Sequence, residues 1–156
     1  MEFMSMYQRQ LQILGSVALA MLLGAILGLD REIAHKPAGL RTHMMVSGAA
    51  ALLVALGDVI IYHFDVKMGH TVLQSDPLRI IEAVITGVSF LGAGTIIRRG
   101  STEEVEGLTT AASLLFVAGA GVTVALSQWV LAVGITVLAL VTLRLLHLVS
   151  RRSGLR

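Results

Sequence analysis

A short polar segment between two long apolar stretches carries the side chains of this chain that are most able to do chemistry. It contains Asp30, Arg31, Glu32, Arg41, Thr42 and His43. A charge at the centre of a membrane helix costs about 2.5–3.5 kcal/mol, so charges beside such helices tend to pair or to line a cavity. Because two carboxylates here balance two guanidinium groups, we expect a buried, charge-neutral network. The alternative is that these are unrelated helix ends whose charges reach solvent separately.

The elements that must position this segment are membrane helices. The 156 residues are 55% hydrophobic and 14% charged, whereas soluble domains carry about 25% charged residues. Five stretches reach the length of about 17–25 residues that a transmembrane helix needs. They are Leu11–Leu29, Met44–Tyr62, Ile80–Ile97, Leu108–Leu126 and Trp129–Leu148. The fold class is therefore all-α, a polytopic integral membrane protein with about five transmembrane helices in a single domain over residues 1–156.

The last two stretches are separated only by Ser127 and Gln128, which predicts a tight antiparallel hairpin. A single re-entrant unit is the alternative. The distribution of basic residues predicts the orientation, because cytosolic loops carry the excess of lysine and arginine. Nine basic residues fall on the side that holds the C-terminus and three on the other. We therefore expect the N-terminus outside and the C-terminus in the cytosol.

Hydroxyl side chains open the fourth stretch, on the same predicted side as the charged segment. They belong to Thr109, Thr110 and Ser113. Such hydroxyls could cap the helix, bond to a neighbouring helix or line a polar pocket. Together with the charged segment they form a candidate functional cluster at the cytosolic edge of the membrane.

Glycines mark two further positions. Gly24 and Gly28 lie four residues apart in the first stretch, a spacing that lets another helix of the chain, or a second copy, approach closely. Gly87, Gly92 and Gly94 weaken the third stretch. They could break the helix and offer carbonyl groups to a cation, or they could serve close helix packing.

The third stretch begins with a polar group at the predicted outer face. Asp76 precedes Pro77, which is typical of a helix start with Asp76 as the N-cap. Arg79 and Glu82 lie three residues apart on one helix face and can pair. The alternative for Asp76, Arg79 and Glu82 is a cation-binding mouth on the outer side.

Several functions are excluded or disfavoured by the residues present. The chain has no cysteine, so disulfides and thiolate metal sites are excluded. Its net charge of +2, with basic residues beside apolar stretches, does not indicate nucleic-acid binding. Ser89 and His147 differ in predicted depth by about 10 Å at 1.5 Å per residue, too far apart for an intramembrane serine protease. We expect no enzymatic activity.

The motifs and their order resemble the MgtC/SapB family of bacterial inner-membrane proteins. They comprise Gly24, Gly28, Arg31 and Glu32; Ala38 to His43; Asp76, Pro77, Arg79 and Ile80; Gly87, Phe90, Leu91, Gly92, Ala93 and Gly94; Arg98, Arg99 and Gly100; and Gly107 to Ser113. The chain departs from the family pattern at Ala83, Ser89 and Leu115. Many members continue into a cytosolic domain, whereas this sequence stops at Arg156.

The resemblance implies a multi-pass domain of the bacterial inner membrane that is associated with magnesium homeostasis and growth in low magnesium. In pathogens it implies a link to virulence through survival inside macrophages. Family members have been connected with inhibition of the proton-driven ATP synthase, so ATP synthase is a candidate partner.

We therefore expect a regulator of ion and energy homeostasis that acts through membrane partners. The alternatives are an oligomeric Mg²⁺ channel or transporter and a structural assembly module. The expected partners are the lipid bilayer, further copies of the chain and other membrane proteins. No resident cofactor is expected; Mg²⁺ enters as a ligand or substrate, and its ligands are not assigned.

Overall fold

A computed structural model describes residues 2–68, 76–98 and 105–153. These residues form five helices: α1 (Glu2–Ile33), α2 (Leu40–Met68), α3 (Leu78–Ala93), α4 (Leu108–Ala125) and α5 (Trp129–Ser153). Two short strands, β1 (Ile97–Arg98) and β2 (Val105–Glu106), pair in antiparallel orientation between α3 and α4. The chain is all-α in class, and this two-stranded ribbon is an addition that the sequence pattern did not predict.

Helix α4 is the centre of the bundle, because it contacts each of the other four helices. Its core face carries small and branched residues, among them Val117, Ala118 and Val124, all of which are buried. Gly121 lets α4 approach α2 so closely that a side chain at this position would collide with the Ser47 carbonyl group. Small residues at helix crossings are typical of membrane bundles, where close backbone contact contributes to association.

Three of the described helices are long and apolar enough to cross a membrane: Met6–Ile33, Leu40–His63 and Leu108–Ala125. A shorter apolar helix covers Trp129–Leu145. Three predicted spans therefore meet the requirements of length and composition. The count of five spans and the orientation stay predictions.

Helix α3 differs most from its predicted span. It ends at Ala93, so the predicted end at Ile97 is wrong. The 16 residues of α3 rise ~24 Å at 1.5 Å per residue, less than a hydrocarbon core of about 30 Å. The reason is local: the chain turns at Gly94, and Ile97 then pairs with Glu106 in the ribbon.

Charged pairs lie at the two ends of the bundle. We call the end that holds Asp30, at the last turn of α1, the Asp30 end, and the opposite end, where Asp58 of α2 pairs with Arg9 of α1, the Asp58 end. Arg9 and Asp30 are 21 residues apart on one continuous helix, a rise of ~32 Å that matches the hydrocarbon thickness. The two ends therefore lie where the two membrane surfaces are expected.

Candidate functional site

Asp30 forms ion pairs with two arginines, Arg31 and Arg144. Arg31 donates to Asp30 Oδ2 through Nη2 at 2.9 Å, and Arg144 of α5 donates to Oδ1 through Nε at 3.0 Å. The side chains of Asp30 and Arg31 are only 13% and 6% exposed, whereas that of Arg144 is 62% exposed. One half-buried carboxylate thus faces two guanidinium groups, of which that of Arg31 is buried. Arg31 Nε is buried and has no hydrogen-bond partner among the described residues.

Glu32 caps the start of α2. Its Oε2 accepts the backbone N–H of Leu40 at 2.7 Å. The first N–H groups of a helix have no partner within the helix, and a carboxylate there satisfies one of them and interacts favourably with the helix dipole. A side chain at Gly39 would collide with the Glu32 carboxylate, so glycine at this position keeps the connection tight.

The predicted charge-neutral network is wrong in two members, because Glu32 is exposed and accepts a backbone N–H of α2 instead of pairing with an arginine of the described residues, and Arg41 is also outside it. Arg41 is exposed, and no ion pair joins it to another described residue. Arg144, which the sequence analysis did not select, takes its place on Asp30. Arg41 lies on the first turn of α2, whereas α5 packs directly against α1. Thr42 is half-buried.

His43 is the central polar residue of the bundle at this end. It is fully buried, with Nδ1 2.9 Å from the carbonyl oxygen of Gly39 and Nε2 3.0 Å from Ser113 Oγ of α4. Ser113 Oγ lies 2.8 Å from the carbonyl oxygen of Thr110. The structure therefore brings together three residues from two separate predicted motifs: His43, Ser113 and Thr110.

The glycine pair of α1 explains how His43 becomes buried. A Cβ at Gly24 would lie 2.6 Å from the His43 carbonyl oxygen, and one at Gly28 would lie 2.7 Å from Leu40 Cα. The glycine strip is therefore covered by α2 of the same chain. It serves packing within the chain, and no free strip remains there for a second copy.

The α3 glycines do not form a break in the middle of the helix. Helix α3 is continuous through Gly87, where an added Cβ would meet nothing within 4 Å. Gly92 packs against Ala111 of α4, with 3.3 Å between the added Cβ and Ala111 Cβ. Gly94 caps the helix. A break within α3 is therefore not present: the helix ends at Ala93 with Gly94 as its C-cap, and Gly92 follows the alternative of close helix packing.

A cavity of about 760 Å³ opens at the Asp30 end between the α1–α2 connection and the start of α4. Its lining includes His35, Lys36, Glu106, Thr109 and Thr110. Thr109 is exposed there, whereas Thr110 is buried. Gly107 begins α4 with a φ of 96°, a left-handed conformation that glycine adopts without strain.

The predicted outer group lies at the opposite end, around the start of α3. Asp76 Oδ1 accepts the Leu78 N–H at 3.0 Å at the start of α3. Pro77 occupies the N-cap position and Leu78 is the first helical residue, so the predicted helix start is one residue too early. Arg79 and Glu82 are both exposed, and within the described part of the chain no ion pair joins them.

The sequence analysis missed the ion pair at the Asp58 end. Arg9 Nη2 donates to Asp58 Oδ2 at 2.8 Å, and the Arg9 guanidinium lies 4.9 Å from the centre of the Tyr62 ring. Arg9 and Asp58 line a smaller cavity of about 350 Å³. The available signal was Asp58 inside the second apolar stretch, with Arg9 two residues before the first, because charged residues in membrane helices tend to pair.

The donor groups at the Asp30 end do not fit a resident Mg²⁺ ion. Mg²⁺ prefers oxygen ligands and carboxylates, but the oxygens of Asp30 are already bound by two arginines and Glu32 caps α2. Among the described residues, no group of three or more His, Asp or Glu could hold a metal ion. The carboxylates at this end are therefore engaged by two arginines and by the start of α2.

An all-helical bundle with three membrane-length apolar helices and a buried charged cluster defines a membrane protein. The sequence model of the MgtC family matches residues 17–152, and the chain belongs to that family. The resemblance that the motifs predicted is confirmed.

Several curated proteins are similar over most of this chain. It is 36% identical over 133 residues to Protein MgtC of Salmonella typhimurium, covering 85% of this chain and 52% of that protein. It is 32% identical over 142 residues to Protein SapB of Bacillus subtilis, covering 91% and 60%. It is 34% identical over 129 residues to "Putative magnesium transporter YhiD" of Escherichia coli, covering 83% and 57%. The chain thus spans about half to three-fifths of their lengths. No solved structure matches it significantly.

Proposed function

We propose that this chain is a multi-pass protein of the bacterial inner membrane that supports magnesium and energy homeostasis through contacts with membrane partners. Family membership and the similarity to MgtC and to YhiD, whose name refers to magnesium transport, support the link to magnesium. Further copies of the chain and the ATP synthase are the proposed partners. We expect this role to support growth in low magnesium and, in a pathogen, virulence.

The observation that favours partner contacts over conduction is the apolar middle of the bundle. Between the two ends, α1, α2, α4 and α5 are packed by Ala20, Leu23, Ala51, Val124 and Ala132, all of them buried. A Mg²⁺ ion gives up its water shell reluctantly, and this packing offers no oxygen ligands in exchange. A single chain therefore acts through its surfaces and its charged end.

Growth of a strain that lacks its MgtC-type protein tests the proposed role. The parent chain should restore growth in low magnesium, and Asp30→Asn should not, because it removes the only carboxylate bound by Arg31 and Arg144 among the described residues. Asp58→Asn is the matched control, since it removes an exposed carboxylate from the opposite end. Membrane expression of all variants must be equal. Equal growth with both variants would contradict a role for the Asp30 end.

Flux measurements separate the proposal from the alternative of an oligomeric Mg²⁺ channel. The purified chain is reconstituted into liposomes that contain a Mg²⁺-sensitive dye. We expect no more Mg²⁺ entry than into liposomes without protein. Entry that depends on the chain and is lost with Asp30→Asn would establish conduction and overturn the proposal.

Labelling of single cysteines tests the proposed orientation, because the chain has no cysteine of its own. A cysteine at Lys36 should react only from the cytosolic side, and one at Asp76 only from outside. The reverse pattern would contradict the N-out, C-in arrangement.

A further inference from the structure

The hydrogen bonds around His43 need more protons than a neutral histidine and a serine can supply. There are three contacts: His43 Nδ1 to the Gly39 carbonyl oxygen, His43 Nε2 to Ser113 Oγ, and Ser113 Oγ to the Thr110 carbonyl oxygen. The carbonyl oxygens only accept, so Nδ1 must donate to Gly39 and the Ser113 hydroxyl must donate to Thr110. The contact between Nε2 and Ser113 then has a proton only if Nε2 carries one.

A neutral imidazole carries one ring proton, and the serine hydroxyl carries one. Two protons cannot serve three contacts. The serine must then choose between Thr110 and Nε2, and one contact of about 3 Å is left between two acceptors. An imidazolium carries protons on both ring nitrogens, and every contact then has one donor.

We propose that His43 is a proton-binding site of the folded bundle, which takes up a proton on Nε2 and donates it to Ser113 Oγ. The ligand is a proton from solvent. An N–H bond forms on Nε2 and an O–H bond of hydronium or water breaks, with no other covalent change. The Ser113 hydroxyl, which in the neutral state is shared between Nε2 and the Thr110 carbonyl oxygen, then donates to Thr110 alone. The inference goes beyond the proposed role in magnesium homeostasis and does not depend on it.

The large cavity at the Asp30 end lies next to these hydrogen bonds. Thr110 lines it, and the Thr110 carbonyl oxygen is the last acceptor of the chain that begins at His43. His43 itself is fully buried. The cavity thus brings solvent-accessible space to one residue of this hydrogen-bonded chain.

The charges around His43 come from several helices. Burial disfavours the charged imidazole, the Gly39 carbonyl oxygen favours it, and Arg31 of α1 opposes a second positive charge through space. Asp30, bound to Arg31 and to Arg144 of α5, offsets part of this charge. On α2, Arg41 is exposed. Residues 108–115 of α4, which supply Ser113, contain no charged residue.

A histidine titration in lipid tests the proposal. The protein is labelled with ¹⁵N at histidine and reconstituted into liposomes, and its ring-nitrogen signals are recorded between about pH 5 and pH 8, where histidine changes charge. His43→Gln identifies the His43 signals by their loss. We expect a proton on Nδ1 alone at the alkaline end and protons on both nitrogens at the acid end.

Ser113→Ala adds a quantitative test. The imidazolium loses two of its three contacts with this variant and the neutral form loses one. The midpoint should therefore fall by about 0.5–1 on the pH scale, the equivalent of one hydrogen bond. Ser47→Ala is the matched control: Ser47 is fully buried one turn further along α2, and its hydroxyl has no partner among the described residues. Its midpoint should stay unchanged.

Two results would overturn the proposal. One is a His43 that keeps its proton on Nδ1 alone at every pH at which the bundle stays folded. The other is an equal shift in Ser47→Ala and Ser113→Ala, which would trace the effect to packing. If Ser113→Ala does not fold, the titration of the parent protein alone decides the question.

Discussion

The two ends of the bundle use the same chemistry in different surroundings. At the Asp58 end, an aspartate 79% exposed meets an arginine 36% exposed, and both reach solvent. At the Asp30 end, the carboxylate is only 13% exposed and its partner Arg31 is buried. The partners of Asp30 come from α1 and α5, while His43 of α2 meets Ser113 of α4. One pair joins two neighbouring helices, whereas the other end ties four helices together.

This difference in exposure indicates at which end the loss of a charged partner should affect stability. An exposed ion pair contributes about 0–1 kcal/mol because water competes for both partners. A buried pair contributes little net stability, but loss of one partner leaves the other charge buried and alone. Substitutions should therefore be severe at the Asp30 end and mild at the Asp58 end.

The largest expected effect comes from Asp30→Asn. It leaves the buried Arg31 guanidinium without a charged partner among the described residues, and such a loss typically costs about 3–5 kcal/mol. Asp58→Asn should cost less than about 1 kcal/mol. Unfolding in mixed detergent, followed by helical circular dichroism, measures both. Similar losses for the two variants would remove the distinction between the ends.

A large effect is also expected from Gly24→Leu, which tests whether close approach of α1 and α2 holds the Asp30 end together. The added side chain must displace the His43 backbone, only 2.6 Å from the new Cβ, and overpacking of this kind costs about 1–3 kcal/mol. Gly15→Leu is the control on the same helix, because nothing lies within 4 Å of its Cβ position. The same unfolding assay should show a loss for the first variant only.

A smaller effect on stability is expected at two turns with a positive φ, one at each end of the bundle. Gly107, at the Asp30 end, has a φ of 96°, and an added Cβ would collide with the Thr95 carbonyl group. Gly107→Ala should cost about 1–2 kcal/mol, since a left-handed conformation is unfavourable for alanine. At the Asp58 end, Ser127 already adopts a φ of 58°, and Ser127→Gly should not destabilise the bundle. A loss in the serine variant as large as that in the glycine variant would contradict this account.

The smallest effect distinguishes two arginines. Arg144→Gln should lower stability by up to about 1 kcal/mol, because its Asp30 contact is largely exposed on the arginine side. Arg41→Gln should stay within about 0.5 kcal/mol of the parent, as is usual for a surface position. An Arg41 variant less stable than the Arg144 variant would restore Arg41 to the network.

Much of the fold follows from local sequence. The apolar stretches predicted all five helices of the described residues, and the two-residue separation predicted the turn between α4 and α5. The Asp76-Pro77 pair marks the start of α3 to within one residue, with Pro77 rather than Asp76 at the N-cap position and Asp76 Oδ1 accepting the Leu78 N–H. These features depend on residues close together in the chain. The early end of α3 was missed because the strand pair that follows it is too short to leave a pattern.

The sequence by itself determined the class of protein, the family and the end of the bundle at which polar groups gather. Only the tertiary structure decided the partners: Arg144 rather than Arg41 on Asp30, Ser113 on His43, and Arg9 on Asp58. The physical reason is that a membrane helix is apolar on most sides, so its sequence leaves its rotation about its own axis undetermined. That rotation is set by the close contacts at Gly24, Gly28 and Gly121, which form only when the helices meet.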